Sequence, residues 1–260
     1  MTNSIKNITI IGAGNVGTNL AFAFYKAGLN INCICCRTEA NANKIVTKTG
    51  AKWIGEFSNL PIDSDLYIIA TPDDVIPVVS ESIKQAAGIV VHTSGTTDID
   101  ALNRFSRRGV FYPLQTFSKI KLANFVHLPI CIESKNEEDE MLLNELALKL
   151  TDNVHLIDSV QRRKLHLAAV FMCNFVNYMY ILGDDYLAKE NINSEILNPL
   201  IKETVIKALK SSPKNNQTGP ARRGDKKTMD MHLNLLSENE RYSVVYSLLS
   251  KQISEYFQDI

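Results

Sequence analysis

The chain has 260 residues, 45% of them hydrophobic and 22% charged, with 28 basic and 28 acidic residues and a formal net charge of zero. That length holds one large domain or two modest ones. The balance of charge lacks the basic field that bulk binding of nucleic acid requires. The five cysteines are an odd number and lie mostly in apolar stretches. They read as buried free thiols, which implies a reducing compartment. The N-terminus shows no basic segment leading into an apolar run, so no secretory signal is read and the expected location is the cytoplasm.

The first element is the most informative. Ile8-Thr9-Ile10-Ile11 leads into Gly12-Ala13-Gly14-Asn15-Val16-Gly17 and then into Leu20-Ala21-Phe22-Ala23-Phe24. A strand, a glycine turn and a helix in that order form a dinucleotide fingerprint. Gly12 permits the tight turn, Gly14 lets the backbone approach a pyrophosphate, and Gly17 allows helix and strand to pack closely. The free N–H groups of the helix start, Asn15 and Val16 among them, favour an anion.

Residues 30–36 read as the second strand, ending at Arg37-Thr38. An NAD site carries an acid there for the ribose 2′-hydroxyl. Here the place is held by Arg37, and no carboxylate comes before Glu39. A guanidinium binds a 2′-phosphate with charge-assisted hydrogen bonds, which a carboxylate would repel. The expected cofactor is therefore NADP, held by Arg37 and Thr38. The same residue argues against FAD and S-adenosylmethionine. Cys33, Cys35 and Cys36 share this strand, where neighbours point to opposite faces, so no metal is expected.

Strand and helix patterns then alternate. A helix over 39–48 stops at Gly50. A strand over 65–70 ends at Thr71-Pro72-Asp73, and a helix follows over 75–87. A strand over 88–92 ends at Thr93-Ser94-Gly95-Thr96, and a short one over 110–112 runs to Pro113. Further strands are expected over 128–132 and 154–157, with a helix over 137–150 between them. The pattern predicts an α/β fold: a Rossmann-like, doubly wound parallel sheet over residues 1–158. Ligands in such sheets bind at the carboxyl ends of the strands. Ala70, Thr71 and Pro72 are expected to line the cofactor. Ser94 would sit nearer the nicotinamide and orient a carbonyl or imine, or it caps the turn that follows.

From residue 159 onward the patterns are helical: 160–189, 197–210, 226–236 and 238–257. Pro199 should start or kink the second of these. A polar loop spans 211–224. This all-helical C-terminal domain, 159–260, is expected to serve substrate binding and dimerisation. Residues 165–182 are apolar enough to raise the question of a membrane span. His166, Asn174, Asn177 and the following Gly183-Asp184-Asp185 favour the central helix of a subunit interface instead.

A regular helix groups His166, Cys173 and Asn177 on one face, with Asn174 at its edge. A histidine there can donate the proton needed when hydride adds to C=O or C=N. The structural alternative is a buried histidine with a satisfied ring. In Thr218-Gly219-Pro220-Ala221-Arg222-Arg223-Gly224-Asp225, the arginines suit a substrate carboxylate or phosphate. Asp225 suits a helix N-cap.

These residues together resemble a family of NADP oxidoreductases that join a Rossmann-like N-terminal domain to a helical C-terminal domain of unknown function. The matching segments are Ile10 to Gly17, His92-Thr93-Ser94-Gly95, Tyr112-Pro113-Leu114-Gln115-Thr116-Phe117, His166-Leu167-Ala168-Ala169-Val170-Phe171 with Asn174, and Thr218 to Asp225. The family is distantly similar to pyrroline-5-carboxylate reductase, the β-hydroxyacid dehydrogenases and the deazaflavin-dependent NADP oxidoreductases. That similarity implies a homodimer built through the helical domains, with the active site between cofactor domain and helices. The β-hydroxyacid dehydrogenases carry a lysine followed four residues later by an asparagine. Here Lys164 is followed by Ala168, so the lysine mechanism does not transfer.

The expected activity is hydride transfer between NADP and a small carbonyl or imine compound, an anionic one given the arginines. His166, Ser94 and Asn174 are the candidate catalytic residues, and Arg222 and Asn177 the candidate substrate-binding ones. Two alternatives stay open: an NADP-binding sensor without turnover, and a deazaflavin-dependent NADP reductase.

Overall fold

The structure, a computed structural model, describes residues 4–258. Its chain divides into two compact units, Met1–Phe171 and Met172–Ile260.

The first unit is built on one sheet of eight strands in the order β3-β2-β1-β4-β5-β6-β7-β8. The strands are β1 (Asn7–Ile11), β2 (Asn30–Cys35), β3 (Lys52–Ile54), β4 (Leu66–Ile69), β5 (Ile89–His92), β6 (Arg108–Pro113), β7 (Ile130–Ser134) and β8 (Val154–Leu156). The helices between them are α1 (Asn15–Lys26), α2 (Glu39–Thr49), α3 (Ile76–Ser82) and α4 (Glu137–Leu148). The two sheet faces are covered separately. Ile8, Ile10, Ile31 and Ile34 pack with Leu20 and Phe24 of α1, Ile45 of α2 and Leu143 of α4. Ile11, Cys33, Cys35, Tyr67 and Ile69 pack with Ile76 and Val79 of α3. Alternate residues of one strand thus feed two cores, as a doubly wound sheet demands.

Three local expectations need correction. The edge strand β3 has only three residues, too few for an alternating pattern to show. The helix expected over 75–87 ends at Ser82, because Ile83 turns extended (φ −75°, ψ 110°) and is fully buried. The sheet is parallel except at β6–β7, which pair antiparallel from Gly109↔Ser134 to Pro113↔Ile130.

The chain leaves the sheet through α5 (Ser159–Ala169). Asp158 caps it, its carboxylate accepting from the Gln161 N–H at 2.8 Å, while the Gln161 side chain accepts from the Asp158 N–H at 3.3 Å. This reciprocal capping box fixes where the helix starts. One turn in, Arg162 is wholly buried. Its guanidinium pairs with Glu133 of β7 and donates to the Thr97 carbonyl at 2.5 Å and to Ser159 Oγ at 3.0 Å. Ser159 Oγ donates to Glu133 at 2.8 Å and accepts from the Ile99 N–H at 3.1 Å. The first turn of α5 is therefore fastened both to β7 and to the loop after β5.

Beyond α5 the helix continues without a break to Lys189. It passes through a π-helical stretch, Val170–Phe175, into α6 (Val176–Lys189). By length and composition alone this helix of 31 residues would cross a membrane. The second unit adds α7 (Asn198–Lys210), which Pro199 starts rather than kinks, and α10 (Lys226–Leu235) and α11 (Glu240–Gln258). Two single-turn helices, α8 (Pro213–Asn216) and α9 (Pro220–Arg223), lie in the segment expected as a loop. Asp225 caps α10 as expected, accepting from the Thr228 N–H at 3.1 Å.

Removing one member of a buried ion pair strands the other. Arg162→Met should lower folding stability by about 3–5 kcal/mol, measured by urea denaturation. A loss below about 1 kcal/mol would show that the pair fastens nothing.

Candidate functional site

The strand order reverses between β1 and β4, and the glycine turn lies at that point. Gly12 has φ +110°, and a Cβ on it would stand 2.4 Å from the Ala70 carbonyl oxygen. A Cβ on Gly17 would stand 2.0 Å from the Gly12 oxygen. Both positions therefore demand glycine. Gly14 meets nothing closer than 4.0 Å. It occupies the N-cap of α1, where no side chain competes for the N–H groups at the helix start. Asn15 and Val16 open the helix, and Ala70 and Thr71, which follow β4, lie against Gly12.

The residues present fit a bound dinucleotide on a further ground. Thr71 Oγ1 is buried and has no hydrogen-bond partner. Such a group costs free energy unless a ligand or water meets it. Arg37 and Thr38 follow β2 on the same sheet edge. Arg37 is exposed and makes no ion pair among the described residues. Thr38 caps α2 in extended conformation without using its side chain. Both side chains are thus available to an anion.

A second cluster of polar residues lies beyond β5 and β6. Ser94 Oγ accepts from the Thr96 N–H at 3.0 Å and the Thr97 N–H at 2.9 Å. The turn-capping role foreseen for Ser94 is therefore present. Thr96 in turn donates to Asp73, tying this loop to the one after β4. His92 is fully buried. Its Nδ1 accepts from the Ser94 N–H at 3.2 Å, so Nε2 carries the proton and donates to the Asp98 carbonyl at 3.3 Å. Burial, with the nearby Arg162 charge second, pushes the His92 pKa down to about 4.

His166 sits one turn after Arg162 on the same face of α5. Its Nδ1 lies 3.0 Å from the Tyr112 hydroxyl. A Cβ on Gly95 would stand 2.4 Å from that nitrogen and 3.0 Å from Tyr112 Cζ. The imidazole and phenol thus pack on bare backbone at Gly95. Burial pushes the Tyr112 hydroxyl up to about 12, which keeps it protonated. Tyr112 and Arg162 were not among the expected site residues. The four-residue spacing of Arg162 and His166 was the available signal, since it puts both on one helix face.

Asn174, Asn177 and Arg222 belong to the second unit. Asn174 lies in the π-helical stretch and Asn177 at the start of α6, both exposed. The predicted grouping of His166, Cys173 and Asn177 assumed an unbroken 3.6-residue period. The π-helical stretch Val170–Phe175 interrupts that period. The Arg222 guanidinium lies 4.2 Å from the centre of the Phe257 ring.

Fold and site together define a Rossmann-like nucleotide-binding protein with a helical C-terminal unit. Residues 2–117 match a Rossmann-like domain, and residues 128–253 match a domain of unknown function, DUF2520. The crystal structure of a putative NADP oxidoreductase from Bacteroides fragilis is 37% identical, covers 96% of this chain and 98% of its own, and superposes with a TM-score of 0.92. The chain belongs to the family of that protein. More distant structures share the fold. An imine reductase from Myxococcus stipitatus in complex with NADP+ has 15% identity over 97% of this chain and 94% of its own (TM-score 0.73). Pyrroline carboxylate reductase from Plasmodium falciparum with NADP bound has 17% identity over 100% and 98% (TM-score 0.58). No curated protein matches the chain.

The pH dependence of stability tests the state of His92. Its folded-state pKa lies below the ordinary 6.5, so the unfolded chain binds the proton more readily. The stabilisation is complete above about 6.5 and is lost as pH falls towards 4. His92→Gln can keep both hydrogen bonds without titrating. Between pH 7 and 4 the native chain should lose about 3 kcal/mol more than this variant, read by urea denaturation at each pH. Parallel losses would mean that His92 is not held neutral.

Proposed function

We propose that the protein is an NADP-dependent oxidoreductase that transfers a hydride between the nicotinamide and a small, anionic carbonyl or imine compound. The observation that carries this reading is the placement of two sites along one sheet edge. An anion cradle lies at Gly12 to Gly17 with Arg37, and the Tyr112–His166 pair lies at the ends of the next strands. The names of the structurally similar proteins, several of them reductases with NADP bound, support the cofactor.

NADPH, when bound, supplies the hydride. The turn at Gly12, Gly14, Asn15, Val16 and Gly17 binds the pyrophosphate through backbone N–H groups. Arg37 and Thr38 bind the 2′-phosphate, and Thr71 gives its unpartnered hydroxyl to the cofactor. His166 polarises the carbonyl oxygen or imine nitrogen and gives it a proton, which water restores. Ser94, whose oxygen accepts from two N–H groups, orients substrate by turning its hydroxyl proton away from Thr96 Oγ1, which lies 3.4 Å from it. Asn174 is proposed to orient substrate, and Asn177 and Arg222 to bind it. Stacking on Phe257 leaves the edge of the Arg222 guanidinium free for a carboxylate.

The second unit also supports a homodimer. Met172, Leu200 and Leu209 are 70%, 64% and 81% exposed, too much apolar surface for a chain that works alone in water. A second copy covering it accounts for the apolar helix better than a membrane does, because that helix also carries His166, Asn174 and Asn177. The buried free thiols Cys33, Cys35 and Cys131 support a reducing, cytoplasmic setting.

Two measurements test this reading. His166→Ala should lower turnover of the best carbonyl or imine substrate by about 10²-fold or more and leave NADPH affinity nearly intact. An undiminished rate would remove His166 from the mechanism, and cofactor binding without turnover on any substrate would favour a sensor. Sedimentation at micromolar concentration should show a dimer, and a monomer would refute the helical interface.

A further inference from the structure

We propose that Tyr112 is the positioning residue of the site, anchoring Nδ1 of His166 and leaving Nε2 as the one ring atom that exchanges a proton with substrate. This rests on the reading of His166 as the proton carrier.

Three observations converge. The phenol oxygen lies 3.0 Å from Nδ1. Tyr112 is held in β6 with only 8% of its surface exposed, and its hydroxyl has no other hydrogen-bond partner among the described residues. The close packing of both rings on Gly95 leaves no room for a side chain there and fixes the ring edge that faces the phenol.

The chemistry of the phenol decides what this anchoring does. A carboxylate at this place would only accept, and would favour a charged ring. A hydroxyl donates or accepts. With a neutral imidazole the phenol has Nδ1 as its only acceptor, so it donates there and the ring proton sits on Nε2. With an imidazolium the O–H turns and Nδ1–H donates to the phenol oxygen. Nε2 carries a proton in both resting states, and the contact with the phenol holds the ring in both, with its direction reversed. The imidazolium is the state that gives the proton: when hydride adds to the substrate carbon, its Nε2–H bond breaks and an O–H or N–H bond forms on the substrate. The ring, now neutral, stays anchored through Nδ1–H until a proton from solvent returns to Nε2.

Nitrogen-15 NMR of the histidine rings in the protein without cofactor, at pH 8, reads this directly. The His166 signals are assigned by their loss in His166→Gln. The native protein should show His166 as the Nε2–H tautomer alone, and Tyr112→Phe should show a mixture of both tautomers. The same variant should lose about tenfold in kcat with KM and thermal midpoint little changed. An Nδ1–H or mixed ring in the native protein would overturn the proposal, as would a spectrum that Tyr112→Phe leaves unaltered. The spectrum needs no turnover. An inactive protein with a fixed ring defeats the reductase reading alone, and an active one with an unfixed ring defeats this inference alone.

Discussion

One charged side chain without exposed surface sets the geometry of this site. Taking Arg162 out of water is costly, and the cost is offset only if partners meet its donors in good geometry. Glu133, the Thr97 carbonyl and Ser159 meet its two terminal nitrogens, and only the buried Nε is left without a partner among the described residues. Each comes from a different segment: the antiparallel strand β7, the loop after β5, and the first turn of α5. An apolar residue could pack against the sheet at many angles, whereas this network is satisfied at one. His166 follows a turn later on the same helix. Its distance from Tyr112 and Gly95 is thus set by an ion pair that takes no part in proton exchange.

The site separates charge from reactivity. Cationic charge stands at the rim, where Arg37 is exposed beyond β2. The ends of β5 and β6, with Cys131 of the neighbouring β7, carry polar groups that burial keeps neutral: His92 is pushed down in pKa, and Tyr112 and Cys131 are pushed up. A rim arginine suits a phosphate that must bind and leave through water. Neutral donors in a drier place suit a reaction in which charge develops on a carbonyl or imine.

Much of this was legible in the sequence because it rests on local rules. The glycine turn, the strand after it and the arginine at its end are each set by near neighbours, and the turn stands where expected. Gly12 and Gly17 were readable since a tight turn admits nothing else. The partners of His166 were not readable. Tyr112 is 54 residues away and meets it only because β6 lies beside β5 and α5 crosses their ends. Glu133 reaches Arg162 through an antiparallel pairing that no local pattern announces. The π-helical stretch Val170–Phe175 was not readable either, since nothing in the apolar run marks where the 3.6-residue period is interrupted.

The glycine turn and Arg37 are together proposed to select NADP. The chain has one tryptophan, Trp53, whose indole N–H donates to the carbonyl of Cys36 at 3.1 Å, next to Arg37. Its fluorescence therefore reports on the surroundings of Arg37. Titrating the purified protein with NADPH and NADH in parallel is the most direct measurement. Saturable binding of NADPH, with NADH weaker by roughly tenfold or more, is the predicted result. Equal affinities would contradict the role of Arg37, and no binding of either would contradict the dinucleotide site itself.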